Sequence, residues 1–244
     1  HLEMEAGRLA YSVRDLFLAD PDHMDYGPEA FLTPAYLDKL AARITPSSRI
    51  PEIPPALLGP SSDTIYLSVV DDAGMAVSLI NSVYKDFGSG ICAPKSGVLL
   101  QNRGACFRLE PGHPNCIDGG KQPLHTIIPA MAFKDGKPHL SFGVMGGGYQ
   151  PCGHAHVLTN MVDFGMDPQE AIDAPRMFFD ETTHVLQAER SVPAETLSVL
   201  RGLGHEIVEA PGPIGGAQAI LIDRENGTLV GGSDPRKDGM AAGY

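Results

Sequence analysis

Basic residues are scarce in this sequence. Its 244 residues hold 18 Lys and Arg against 30 Asp and Glu, a net charge of −12, and the cations are scattered rather than clustered. A nucleic-acid partner needs a basic stripe to meet its phosphates, and an anionic membrane surface needs a similar patch, so neither is expected. No apolar run approaches the length of a membrane-spanning helix. Cysteine is sparse too: Cys92, Cys106, Cys116 and Cys152 show no C-x-x-C spacing. They read as free thiols or small buried residues rather than zinc ligands, while a disulfide, and with it the redox compartment, stays open. His154 and His156 stand two apart in a helical stretch, where side chains do not face each other, so no metal is expected there. Internal repeats and low-complexity tracts are missing as well.

What is present is ordinary globular composition, 43% hydrophobic and 20% charged, in a chain long enough for a sizeable core. The chain opens on His1 within a helical pattern instead of on Met, and is read as a segment of a longer protein. Leu2, Ala6, Leu9, Ala10, Val13, Leu16 and Phe17 recur at helical spacing up to Asp20-Pro21. Thr33-Pro34 offers an N-cap and a proline at the first position of a second helix through Leu37, Leu40, Ala41 and Ile44. Residues 46–62 hold five prolines among serines and are read as a loop or linker.

The chain then changes character at Asp63-Thr64. Residues 64–71 and 76–82 are rich in Val, Ile, Leu and Ser around an Asp71-Asp72-Ala73-Gly74 turn, the pattern of a β-hairpin. Further strands are predicted at 97–102, 126–133, 139–144, 206–208 and 217–222, with Asn226-Gly227 turning toward Leu229-Val230. Helices are predicted at 154–164, with Val157, Leu158, Met161 and Val162 on one face, and at 168–174 and 193–203. Strands with interspersed helices give an α+β or layered α/β class with antiparallel sheets.

The candidate chemistry is acyl transfer. A threonine at a chain terminus carries nucleophile and base on one residue, its hydroxyl and its own α-amine. Exposing that amine inside a longer chain requires the Asp63–Thr64 bond to break, and the pliable proline-rich stretch before Thr64 suits that step. Ser82, at the end of the second strand, is placed to hydrogen-bond a nucleophile opposite it. Gly146 and Gly147 are candidate oxyanion donors, because glycine lets backbone N–H groups approach a ligand. The bland reading of the three glycines is a strand-to-helix turn. Cys152 has no nucleophile motif around it and reads as a small buried residue.

Taken in order, Asp63-Thr64-Ile65-Tyr66-Leu67-Ser68-Val69-Val70-Asp71, Phe87-Gly88-Ser89-Gly90, the 97–102 segment, Pro123-Leu124-His125-Thr126, Gly146-Gly147, Asp163-Phe164-Gly165-Met166, Ala174-Pro175-Arg176 and Ser233-Asp234-Pro235-Arg236 with Ala242-Gly243-Tyr244 resemble the γ-glutamyltransferase family of N-terminal-nucleophile hydrolases. The resemblance implies a four-layer αββα sandwich and self-cleavage at Asp63–Thr64. It makes residues 1–63 the end of a large-subunit region with its linker and 64–244 the small, catalytic subunit, parts of one domain whose earlier portion is missing. It implies Thr64 as nucleophile, Ser82 as its hydroxyl partner and Gly146 and Gly147 as the oxyanion hole. Tyr84, Asn102, Arg103, Cys106, His125 and Thr126 fall at or beside substrate-binding positions. It implies no cofactor, a small γ-glutamyl or acyl-amide substrate with water or an amine as acceptor, and a heterodimer of cleaved subunits open to further oligomerisation.

The departures bear on the substrate. Thr64-Ile65-Tyr66 stands where the transferases usually carry Thr-Thr-His. Cys106 stands near their ammonium-binding aspartate, and a neutral thiol cannot make that charge-assisted bond. His125-Thr126 replaces a Ser-Ser pair, and Val83-Tyr84 lies where they place an Asn. With Met145-Gly146-Gly147 and Gln150-Pro151, the sequence looks more like the acylase-like branch related to cephalosporin acylases. That likeness points to the cytoplasm, with the periplasm or secretion left open by the unseen N-terminal side. A relative from another class, keeping the fold as a non-catalytic binding or assembly subunit, is the competing expectation.

Overall fold

The computed structural model describes residues 1–54 and 64–243. The linker read at 46–62 therefore lies partly, and Asp63 and Tyr244 wholly, outside the described residues. The chain divides into two compact units, each assembled from three separate stretches.

One unit takes residues 1–59, 102–125 and 177–211. Helix α1 spans Leu2–Phe17, with acidic Glu3 and Glu5 in its first turn and Arg14 in its last, as the helix dipole favours. Helix α2 spans Pro34–Ala41. Thr33 holds the predicted cap position, but its hydroxyl donates back to the Ala30 carbonyl rather than capping, and the helix stops before Ile44. α1 lays Tyr11 edge-on against Phe179, at 5.2 Å between ring centroids. Phe179 belongs to β5 (Met177–Phe179), which pairs antiparallel with β6 (Leu186–Ala188). β6 in turn runs parallel to β7 (Ile207–Glu209), and helix α5 (Ala194–Gly202) supplies the crossover. Leu9, Ile50 and Ile53 form a buried apolar cluster with Ile44 against it.

The other unit takes residues 60–101, 126–176 and 212–244. β1 (Thr64–Val70) and β2 (Ala76–Ser82) form the predicted hairpin, in register from Thr64 opposite Ser82 to Val70 opposite Ala76. The Asp71 carboxylate accepts from the Met75 backbone N–H across the turn. A second sheet has the order β3-β4-β8-β9 and is antiparallel throughout. Its strands are Ala130–Lys134, Lys137–Met145, Gly216–Asp223 and Thr228–Ser233.

The hairpin packs on one face of this second sheet, and helices α3 (Gln150–Val162) and α4 (Pro168–Asp173) pack on the other. β4 shows the two-residue period this requires. Ser141 and Gly143 face the hairpin, while Phe142 meets His154 of α3 and Val144 lies against Gly153 of α3. α4 opens with an Asp167–Glu170 capping box.

Three expectations are corrected. Residues 97–102 make no strand among the described residues. A tight turn closes there instead, with the Ala93 N–H on the Val98 carbonyl and one isolated bridge from Cys92 to Leu99. α3 begins four residues earlier than predicted, because Pro151 serves the first turn. Val162, expected on its buried face, is 71% exposed.

Candidate active site

Antiparallel register puts Thr64 directly across from Ser82, and the Thr64 hydroxyl donates to Ser82 Oγ at 3.1 Å. The serine oxygen also accepts the Tyr84 backbone N–H at 2.9 Å. That second bond needs the chain to turn sharply, and Tyr84 sits at φ 82°, a left-handed conformation that a residue with a bulky side chain rarely adopts. Its side chain is fully buried. Backbone strain of this kind persists where surrounding structure enforces it. Here it fixes the oxygen that orients the Thr64 hydroxyl.

At the end of β4 the backbone passes through Gly146 at φ 130° and Gly147 at φ 56° before entering α3. Neither angle suits a residue with a side chain. A Cβ on Gly146 would also lie 2.9 Å from the Gly215 Cα. Met145 pairs with Gly216, so the 214–217 segment buttresses the glycine turn.

That segment is held by a buried network the sequence reading did not assign. Arg176 donates to the Ile214 and Ile172 carbonyls, each at 3.0 Å, and pairs with Asp234 at 2.6 Å. Asp234 also accepts the Ala217 N–H at 2.7 Å. Arg236 reaches the Ile172 carbonyl at 2.9 Å and Asp234 at 3.3 Å. The Ala-Pro-Arg and Ser-Asp-Pro-Arg stretches were visible in the sequence. A proline beside an arginine signals a fixed backbone, but no local rule says that the two arginines share one carboxylate.

The candidate residues divide between the units. Thr64, Ser82, Tyr84, Thr126, Gly146 and Gly147 belong to the hairpin unit; Asn102, Arg103, Cys106 and His125 belong to the α1 unit. Asn102 precedes a short 3-10 turn over Arg103–Cys106. Cys106 is wholly buried and its carbonyl accepts from the Asn115 side chain at 2.7 Å, whereas His125 is exposed and Thr126 buried.

His154 and His156 have separate roles. His154 donates to the Gln150 carbonyl at 2.6 Å and accepts the Val144 N–H at 3.3 Å, while His156 meets Asn160. Burial holds the His154 pKa below that of a free imidazole, in keeping with a neutral ring accepting that N–H. Among the described residues His1, Glu5 and His205 bring three potential ligand atoms within 4.8 Å of one another. Glu5 is already engaged by Arg8 and by the Ile50 N–H, each at 2.6 Å, and the two imidazoles hydrogen-bond at 2.8 Å. The three side chains are thus engaged with one another and with backbone groups as a polar network, with His205 Nδ1 left without a hydrogen-bond partner among the described residues.

Two facing β layers with helices against the outer face of one, and a hydroxyl-bearing residue heading a strand of the other, fit the α+β class of the N-terminal-nucleophile hydrolases. The solved cephalosporin acylase from Bacillus halodurans superposes at TM-score 0.89 with 36% identity, over 99% of this chain and 44% of that one. The chain belongs to the gamma-glutamyltranspeptidase family, whose model matches residues 1–244. It is 39% identical to the glutathione hydrolase-like YwrD proenzyme of Bacillus subtilis, over 100% of this chain and 47% of that protein. Against the oxamate amidohydrolase proenzyme of Klebsiella pneumoniae it is 38% identical, with the same coverage of 100% and 47%. The chain thus spans about half the length of these curated relatives.

Proposed function

We propose that this chain carries the nucleophile of a self-processing amidohydrolase or acyltransferase. The observation that supports this most is the Thr64 hydroxyl at the head of β1, hydrogen-bonded to Ser82 at 3.1 Å. In maturation the Thr64 oxygen attacks the Asp63 carbonyl carbon. The Asp63–Thr64 C–N bond breaks, the nitrogen takes up a proton, and an ester joins Asp63 to the threonine oxygen. Water hydrolyses that ester, leaving the Asp63 carboxylate and a Thr64 with free hydroxyl and free amine. Residues 1–63 and 64–244 then belong to separate subunits of one assembly.

In turnover the α-amine accepts the hydroxyl proton as the oxygen attacks the substrate amide. The backbone N–H groups of Gly146 and Gly147 stabilise the oxyanion, and the leaving amine departs with the proton. Water or an amine then takes the acyl group from Thr64. Before attack Ser82 accepts from both Thr64 and the Tyr84 N–H; once the α-amine takes the Thr64 proton, the Ser82 hydroxyl turns to donate to the Thr64 oxygen and keeps it directed at the carbonyl.

The substrate is a γ-glutamyl or related acyl amide. The relatives' names include an oxamate amidohydrolase and a cephalosporin acylase beside a glutathione hydrolase-like protein, so both glutamyl and other acyl groups come into question. Cys106 favours the latter, because a buried neutral thiol offers an ammonium no counter-charge.

The test is intact mass and N-terminal sequencing of the chain beside Thr64→Ala, followed by peptide mapping after quenched exposure to acyl amides. A new terminus at Thr64 and an acyl adduct on it are expected, both lost in the variant. An adduct elsewhere, or cleavage that persists in Thr64→Ala, overturns the proposal.

A further inference from the structure

We infer that Tyr66 is a positioning residue: its ring, wedged against Gly143, sets the spacing between the strand that carries Thr64 and the glycine turn at Gly146-Gly147. The inference rests on the reading of Thr64 as nucleophile and adds a residue that touches neither substrate nor reacting atoms.

Thr64 and Tyr66 are two apart on β1, so both side chains point to the same face, toward the second sheet. The Tyr66 ring is only 6% exposed. It occupies the volume a side chain at position 143 would need. A Cβ built on Gly143 would lie 2.8 Å from the Tyr66 Cζ and closer still to Cδ2 and Cε2. Carbon atoms rest at about 3.5–4.0 Å, so any other residue at 143 would drive the ring and its strand back by about an ångström.

The far end of the ring is fixed as well. Tyr66 Oη and Ser78 Oγ hydrogen-bond at 2.7 Å, and Ser78 Oγ donates to the Phe142 carbonyl at 3.4 Å, next to Gly143. One step further along, Ser68 Oγ meets Ser141 Oγ at 2.5 Å, and Ser141 Oγ donates to the Val77 carbonyl at 3.2 Å. The hairpin is therefore tied to residues 141–143 of β4 by hydroxyls, with one ring as the solid spacer. At about 3.3 Å rise per residue, Gly143 stands ~10 Å along the strand from Gly146 and Tyr66 ~7 Å from Thr64. The β1 span is paired throughout and β4 is paired as far as Met145, whose neighbour Gly146 abuts Gly215, so a displacement is passed on rather than absorbed. Such a shift, about 1 Å at the nucleophile, can cost on the order of 10²-fold in rate.

Gly143→Ala in the full chain tests this, with the self-cleavage rate, kcat and KM per acyl-labelled Thr64, and the melting temperature as readouts. Self-cleavage and kcat are expected to fall about 10–100-fold with KM held within about twofold, and Gly143→Ala/Tyr66→Val, which frees the space again, should recover at least ~5-fold. A role in folding alone would lower the melting temperature and leave kcat per labelled site untouched. A folded Gly143→Ala with unchanged kcat and cleavage rate overturns the inference, and so does a folded double variant without recovery. Where Gly143→Ala does not fold, Tyr66→Val alone decides: a kcat loss of roughly tenfold or more at constant KM supports the spacer, and an unchanged kcat refutes it. Cleavage lost in Thr64→Ala but normal in both other variants removes only the spacer. Cleavage that survives Thr64→Ala removes the nucleophile reading beneath it.

Discussion

In the hairpin unit the buried pair Arg176–Asp234 gathers the Ile172 and Ile214 carbonyls and the Ala217 N–H around a glycine turn. In the α1 unit the buried pair Glu5–Arg8 ties one helix to the carbonyl and N–H of Ile50. Both pairs are fully shielded from solvent, and both also hydrogen-bond backbone groups. What they hold differs. The first anchors a segment that abuts the candidate oxyanion turn, whereas the second joins a helix to a loop lined by Leu9, Ile50 and Ile53. Buried ion pairs are poor evidence of added stability, since desolvation offsets much of their attraction. Their value here is placement, and only one of these two placements adjoins the candidate site.

The largest effect that separates the units is expected at Gly146. Gly146→Ala puts a side chain at φ 130° and presses its Cβ against the Gly215 backbone, so the turn must reshape. Losing one oxyanion donor typically costs about 10²–10³ in kcat. Acyl-enzyme formation on Thr64 should fall by that order, measured by quenched-flow mass spectrometry. Full-rate acylation would place the oxyanion elsewhere.

Cutting each ion pair sharpens the comparison. Asp234→Asn and Glu5→Gln each leave a buried guanidinium short of its counter-charge, at a cost of about 3–5 kcal/mol. Denaturant melts should show similar losses for both. Kinetics per labelled Thr64 should not: kcat is expected to fall at least several-fold in Asp234→Asn and to stay near the parent value in Glu5→Gln. Equal kcat losses in the two would erase the distinction between a site anchor and a structural anchor.

The legibility of the sequence follows the same division. The hairpin was readable to within one residue, its first strand ending at Val70 rather than Asp71, since β-branched runs flank the Asp-Asp-Ala-Gly turn, and the register sets Thr64 opposite Ser82. α1 was readable from its apolar period. β5 and β6 were not, because three residues are too few for a period and the packing of β5 is against Tyr11 of α1, far away in the chain. The 97–102 segment misled, because its Val-Leu-Leu run favours a strand while no neighbouring strand pairs with it among the described residues. The Arg176–Asp234–Arg236 network and the Tyr66–Gly143 contact share a cause: each joins residues 58 to 77 positions apart through side-chain geometry. A single sequence carries no periodic trace of that.

The smallest expected effect belongs to the α1 unit and is read by pH. His205 is buried, and its pKa is lowered to about 4, by desolvation first and by the nearby Arg49 and Arg8 charges, against the pull of Glu5. An unfolded imidazole titrates near 6.5. Between pH ~6.5 and ~4 the unfolded chain therefore binds a proton that the folded chain refuses, and stability falls as the pH is lowered through this window. Burial acts in the same direction on His184 of this unit and on His154 of the other. The melting temperature should accordingly drop from pH 7 to pH 4.5, and His205→Gln should flatten that slope without removing it. The amide keeps a donor and an acceptor among Glu5 and its neighbours but has no proton to gain. An unchanged slope in His205→Gln would assign the acid sensitivity to the other histidines. With kcat per labelled Thr64 unaltered at pH 7, the variant would still mark the α1 unit as a scaffold whose charges set stability, while those of the hairpin unit hold the candidate oxyanion turn.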